Sequence, residues 1–222
     1  MPVEAERERS SRFDPARARP SAVGYCQLKT WAQATGRLQR DIPLFYVVAG
    51  YALQDWWFFN VIKPVHPDAE REVSVATVTG ESTHPDIFIP SRKLAVQVKS
   101  CSKSAALNKV KKAHHTAQCL IEWASWHRER CCTTEDGRVI YGVPERYEVL
   151  LLCRDDYGIT RNEIRVRWDA LKAARLEAKL AETQFFIDHD IEPDCPYTKP
   201  TWECRDHQTG EACPLYNHCW CN

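Results

Sequence analysis

The run "RYEVLLLCR", residues 146–154, constrains the fold more than any other stretch of the chain. It is short, almost continuously apolar in its middle, and free of glycine and proline. Such a run reads as a central strand, buried on both faces. A strand of that kind needs strands beside it and cover above and below it.

The rest of the sequence supplies both. "EVSVATVTG" (72–80), "DIFIP" (86–90) and "KLAVQVKS" (93–100) read as strands, the last two joined by the tight turn "PSRK". "NEIRVRW" (162–168) alternates as an outer strand. Helices are expected over 21–38, 43–63, 103–130 and from Asp169, an N-cap, through "ALKAARLEAKLAETQFFIDH". In the third of these, Val110, Ala113, Ala117, Leu120, Ile121 and Ala124 recur at three- and four-residue steps. The expected class is α/β: a mixed central β-sheet flanked by helices. The stretch 44–62, "LFYVVAGYALQDWWFFNVI", is as long as a membrane span. Gln54, Asp55 and Asn60 would lie in hydrocarbon at high cost, so it reads as a buried or amphipathic helix and no membrane segment is expected.

A length of 222 residues suits one large domain with small appendages. Residues 1–20 are charged and poor in core formers, which predicts a flexible arm. Residues 21–192 form the main domain, and 193–222 a Cys-rich lobe. The 30 basic and 30 acidic residues cancel, so nucleic-acid binding must rest on a local patch. No charged start leads into an apolar run, so no secretory signal is expected and the setting is cytoplasmic.

One strand carries chemistry. In "KLAVQVKS", Ala95, Gln97 and Lys99 share one face, while Leu94, Val96 and Val98 share the other and belong to the core. A neighbouring strand beginning at Asp86 reaches the first face. A carboxylate, an amide oxygen and an ammonium so placed suit a divalent cation and a phosphate. The bland reading is an edge strand showing solvent two polar residues. Beyond Lys99, the lysines Lys103, Lys109, Lys111 and Lys112 follow with no acid among them. At helical spacing Lys109 and Lys112 share a face and would hold backbone phosphates; a solvated helix face is the plainer use.

The chain has 11 cysteines, an odd number, and a reducing compartment argues against a disulfide framework. Cys195, Cys204, Cys213, Cys219 and Cys221 crowd the tail. Thiolates clustered in this way suit zinc or an iron–sulfur cluster, and spacing alone does not choose. Cys204, Cys213, Cys219 and Cys221 could supply four ligands by themselves.

Pro85-Asp86 and Gln97-Val98-Lys99 resemble the signature of the PD-(D/E)XK nuclease superfamily. The order of further motifs resembles its RecB-like, CRISPR-associated iron–sulfur exonuclease branch. The resemblance implies a DNA exonuclease that uses Mg2+ or Mn2+, with Asp86 and Gln97 holding the ion and Lys99 positioning the attacking water. Gln97 replaces the usual Glu, and Glu72 is the candidate acid to compensate; His84 could also approach. Gln54, in "GYALQ", stands where the branch has a histidine ligand. Gln118 matches the glutamine of a Gln-x-x-x-Tyr motif, whereas Glu122 and Trp123 stand where the tyrosine is expected. "CPLYNHC" matches the end of the branch's C-terminal cysteine trio. The resemblance thereby implies a 4Fe-4S cluster on Cys26, Cys204, Cys213 and Cys219, with Cys195 and Cys221 as substitutes. Such a cluster would act as a clasp between the tail and an N-terminal helix. The implied partner is DNA, as single strands or duplex ends, within recombination, replication or CRISPR adaptation. Two other classes stand beside this one: a nuclease-fold DNA-binding or scaffold protein that has lost hydrolysis, and a zinc-stabilised interaction module.

Overall fold

The computed structural model describes residues 17–24, 26–38, 44–102, 109–155, 158–194 and 215. In chain order the elements are α1 (Gln27–Ala34), α2 (Leu44–Trp57), β1 (Glu70–Arg71), β2 (Val75–Ala76), β3 (Ser82–Thr83), β4 (Ile87–Ile89) and β5 (Leu94–Ser102). They continue with α3 (Lys109–Glu129), β6 (Cys131–Thr133), β7 (Val139–Tyr141), β8 (Arg146–Asp155), β9 (Gly158–Val166) and α4 (Ala170–Asp188). A single π-helical stretch, Phe58–Ile62, prolongs α2.

The central sheet has five strands in the order β1-β4-β5-β8-β9. β5 and β8 run parallel, joined by the α3 crossover, and the remaining pairs are antiparallel, so the sheet is mixed. β8 owes its place to its apolar run. Tyr147, Val149 and Leu151 pack towards α3 with Ala95, Phe88, Leu120, Trp123 and Trp126. Leu150 and Leu152 pack on the opposite face with Leu94, Val96, Val98 and Phe58, where Leu53 and Trp57 of α2 close over them. Each such aliphatic side chain gains roughly 1.5–3 kcal/mol from leaving water. A third cluster ties α1 to the bundle: Leu28 and Trp31 meet Ala117 and Ile121 of α3 and Leu180 and Ile187 of α4. Asp169 caps α4 as expected, its Oδ1 accepting the Lys172 N–H at 2.9 Å.

Four expectations are corrected. The segment 72–80 is not a strand of the main sheet. Val75–Ala76 pairs with Ser82–Thr83 across a turn, and Ser74 makes an isolated bridge to Thr133. Thr77 closes that turn by donating from both N and Oγ1 to the Glu81 carbonyl, and Gly80 takes φ +80°. The strand beside β4 is instead the two-residue β1. The turn "TTEDGRV" is present, but β6 and β7 flank it as a hairpin that periodicity did not reveal. Both faces of β5 are core, not one: Ala95 and Gln97 are as buried as Val98. Finally, packing begins ahead of residue 21. Ala18 is fully buried in the third cluster, and its N–H donates to Gln184 Oε1 at 2.8 Å. The helix expected from 103 begins at Lys109, with 103–108 outside the described residues. No helix among the described residues is long and apolar enough to cross a membrane.

Candidate active site

β4 ends its pairing with β5 at Ile87 opposite Val96. One residue earlier the chain bends at Asp86, which by continuation of the register lies beside Gln97. β5 runs on past this point, so the N–H of Val98 has no strand partner on that side among the described residues. The Asp86 carboxylate takes it instead, Oδ2 accepting at 2.6 Å. The Val98 carbonyl is taken by Gln54 of α2, whose Nε2 donates at 2.9 Å. The backbone between Gln97 and Lys99 is therefore gripped by two side chains, and the period-two alternation of β5 turns both flanking residues to the α3 side.

Gln97 is buried, and its Oε1 accepts no hydrogen bond among the described residues. Native structures leave few such atoms, and each asks for an explanation. Lys99 is half-buried one alternation further along. Its charge acts on Asp86 and on Glu122. Burial pushes the Asp86 carboxyl up to about 7, against the opposing pull of Lys99 and of the Val98 hydrogen bond. Glu122 and Glu72 push it further in the same direction.

Glu72 does not open a strand; it follows β1 in a left-handed conformation, φ +47°. A non-glycine residue in that region is strained, and such strain gathers at functional sites. Its N–H donates to the Asp86 carbonyl at 3.0 Å, which fixes the backbone of both residues. Gln118 lies on α3 and donates from Nε2 to Glu122 Oε1 at 2.8 Å.

Glu122 is the residue that sequence reasoning missed. It is fully buried on the α3 face that meets β5. Besides Gln118, Thr83 Oγ1 donates to Oε1 at 3.1 Å and the Tyr147 hydroxyl donates to Oε2. Burial pushes the Glu122 carboxyl up, and the three donors and Lys99 pull it back. Burial also pushes the Tyr147 hydroxyl and the Cys119 thiol well up. A polar residue four positions after Gln118 was the only signal for Glu122; Tyr147 and Thr83 had none.

Asp86, Gln97, Lys99, Gln118 and Glu72 thus fall in one region, with Glu122 at its floor. His84, half-buried, stands between Thr83 and Asp86. The buried Gln97 oxygen beside a carboxylate is a donor pair suited to a hard cation that keeps several waters. Among the described residues no three His, Cys, Asp or Glu side chains cluster so as to hold a metal ion by themselves. Lys103 lies outside the described residues. Lys109 and Lys112 sit in the first turn of α3, with only their backbone described.

The expected cysteine lobe falls mostly outside the described residues, Cys204, Cys213 and Cys219 included. Cys26 is buried just before α1, in the third cluster. Leu215, between Cys213 and Cys219 in sequence, packs against that same cluster.

No protein-family model matches this chain, and no curated protein matches it. Solved structures do. A phage related exonuclease from Haemophilus somnus 129PT superposes with a TM-score of 0.57 at 11% identity, over 79% of this chain and 95% of the other. An alkaline exonuclease (LHK-Exo) from Laribacter hongkongensis gives 0.52 at 12% identity, over 81% of this chain and 91% of the other. The same enzyme in complex with dAMP gives 0.51 at 12% identity, over 80% and 90%. At these identities the likeness establishes a shared fold, and the mixed sheet flanked by helices is that fold.

Proposed function

We propose that the chain is a divalent-metal-dependent DNA exonuclease that hydrolyses phosphodiester bonds at single strands or duplex ends. The observation that carries this reading is the buried Gln97 oxygen, without a hydrogen-bond partner among the described residues and set beside Asp86 and Lys99. The exonuclease neighbours of the same fold support it. In this reading Asp86 and Gln97 hold Mg2+ or Mn2+, and Glu72 adds negative charge at the rim. When bound, the ion polarises a phosphoryl oxygen and makes a water more acidic. Lys99 sets positive charge where charge develops on the phosphate and orients the water. Gln118, its amide turned by the bond to Glu122, presents its remaining polar groups to substrate. Lys103, ahead of α3, and Lys109 and Lys112, in its first turn, would track the phosphate backbone.

End-labelled single- and double-stranded DNA, incubated with Mg2+ or Mn2+, tests this. Wild type is expected to release nucleotides, and Lys99→Ala to lose about a hundredfold or more in rate. Equal cleavage by the two proteins, or none by either, removes the enzyme reading.

The second reading is a nuclease-fold DNA-binding or scaffold protein in which hydrolysis is impaired. Two observations favour it: no acidic or imidazole trio gathers among the described residues, and Gln54 spends its amide nitrogen on the Val98 carbonyl. DNA binding that weakens steeply with salt, without cleavage, is its signature.

We further propose that residues 21–192, with the packed residues from Ala18 on, form the nuclease domain and that 193–222 close as a Cys-rich lobe on α1, the flexible arm being confined to residues ahead of Ala18. A 4Fe-4S cluster on Cys26, Cys204, Cys213 and Cys219 would hold the lobe, with zinc as the alternative. The packing of Leu215 on the Cys26 cluster supports this. Iron and zinc analysis with a visible spectrum of anaerobically purified protein decides between the metals.

A further inference from the structure

Arg71 ends β1 opposite Ile87 of β4, the residue that follows Asp86. Its guanidinium meets carboxylates from two other parts of the fold. Nη1 donates to Asp55 Oδ1 of α2 at 2.6 Å, and Nη2 donates to Glu135 Oε2, between β6 and β7, at 3.1 Å. The guanidinium carbon also stands 5.5 Å from the centroid of the Phe59 ring. Ion pairs between long side chains in open water contribute little. Only 20% of the Arg71 side chain is exposed, and a planar fork held by two carboxylates over a ring face has one preferred geometry.

Either end of that fork leads to the candidate site. Glu72, next in the chain, donates its N–H to the Asp86 carbonyl at 3.0 Å. Asp86 Oδ2 accepts from the Val98 N–H at 2.6 Å, and the Val98 carbonyl accepts from Gln54 Nε2 at 2.9 Å. Gln54 precedes Asp55, which returns to Arg71. Four hydrogen bonds thus close a circuit through α2, the end of β1, the entry of β4 and β5. Asp86 and Glu72 belong to it, and Gln97 and Lys99 flank Val98. Glu72 keeps its φ of +47° inside this circuit, and a strained residue persists only where its surroundings over-determine it. The bond from Arg71 to Glu135 lies outside it.

We propose that Arg71 is a positioning residue: paired with Asp55, it closes a hydrogen-bond circuit that holds Asp86 and Glu72 in place for the divalent cation. This deepens the nuclease reading and rests on it for the cation. Arg71 acts through the backbone of Glu72 and through α2, not on the ion. Charge alone makes the opposite prediction. Removing a positive side chain near a cation site favours cation binding, whereas opening the circuit weakens it.

The test titrates Mn2+ calorimetrically into the full chain in the absence of DNA. Arg71→Met is expected to raise the Kd about tenfold. Glu135→Gln strips the same guanidinium of its partner outside the circuit and is expected to stay within about threefold of wild type. Arg71→Lys, which keeps the charge and one contact, is expected to fall between wild type and Arg71→Met. A Kd in Arg71→Met that is tightened, or raised by less than about threefold, overturns the proposal. So does an equal loss in Glu135→Gln. Should Arg71→Met fail to fold, Arg71→Lys decides, and a wild-type Kd in that variant overturns the proposal. A second measurement uses urea without divalent metal. Arg71 and Gln54 share no hydrogen bond among the described residues, so their effects on the folding constant would simply multiply if the circuit carried nothing. Arg71→Met and Gln54→Leu are expected to depart from that product by more than about threefold, and agreement within that margin overturns the circuit. A wild type that binds no Mn2+ removes the nuclease reading alone, and the urea cycle still decides the circuit.

Discussion

Asp86 is a carboxyl group whose surroundings work against its charge. Its pKa stands at about 7 against an ordinary 3.8, so the native state binds the proton more tightly than the unfolded chain does. The resulting contribution to stability is complete below the ordinary value and is lost as pH rises through about 7. Calorimetry without divalent metal is expected to show wild-type stability falling between about pH 4 and pH 8 more steeply than that of Asp86→Asn. Parallel profiles would contradict this. Position 97 yields the complementary prediction. Gln97→Glu replaces an orphaned neutral oxygen with a charged one, and Mn2+ affinity measured by titration is expected to rise about tenfold. Gln97 and Lys99 share a face by strand alternation alone, and Asp86 stood out as an acid behind a proline just ahead of that strand. Glu122 was not legible in that way. A helix pattern tells which side chains share a stripe, but not that a hydroxyl from β3 and a phenol from β8 will meet one of them.

Among the elements, α4 is the one whose ends the sequence marks best. Asp169→Ala removes the bond from the Lys172 N–H and is expected to cost about 1 kcal/mol in urea unfolding, with the urea dependence unchanged. The same reasoning explains which elements could be read and which could not. β8 and β9 are long; the burial of β8 follows from its own apolar run, and the alternation of β9 shows in its own sequence. β1, β2 and β3 are two residues each, too short for any period, and exist because neighbouring backbone supplies their partners. The hairpin of β6 and β7 hangs on the Ser74–Thr133 bridge, a contact between segments far apart in the chain. Tertiary pairing of that kind leaves no local trace.

At the scale of the whole molecule, the segments that follow α1 and α4 are joined. Arg37 after α1 grips Asp190 after α4 with two hydrogen bonds, at 2.7 and 2.8 Å, while Leu215 returns to the cluster that holds Cys26. A metal shared between Cys26 and the tail, as proposed, would close a loop of nearly the entire chain and use no side chain of β5. The two centres should therefore fail separately. If the proposed lobe holds iron or zinc, Cys26→Ser is expected to lose that metal and to lower the melting midpoint by several degrees. Lys99→Ala is expected to leave metal content unchanged. Loss of iron or zinc from both variants would show that the centres are not independent.

The grip on Val98 carries a consequence at this scale as well. Past Val96, no strand among the described residues flanks β5 on the β4 side, so the backbone there offers the kind of open border on which foreign chains nucleate. The Asp86 carboxylate and the Gln54 amide cover that border at its middle. A variant stripped of both is expected to self-associate, which light scattering would register.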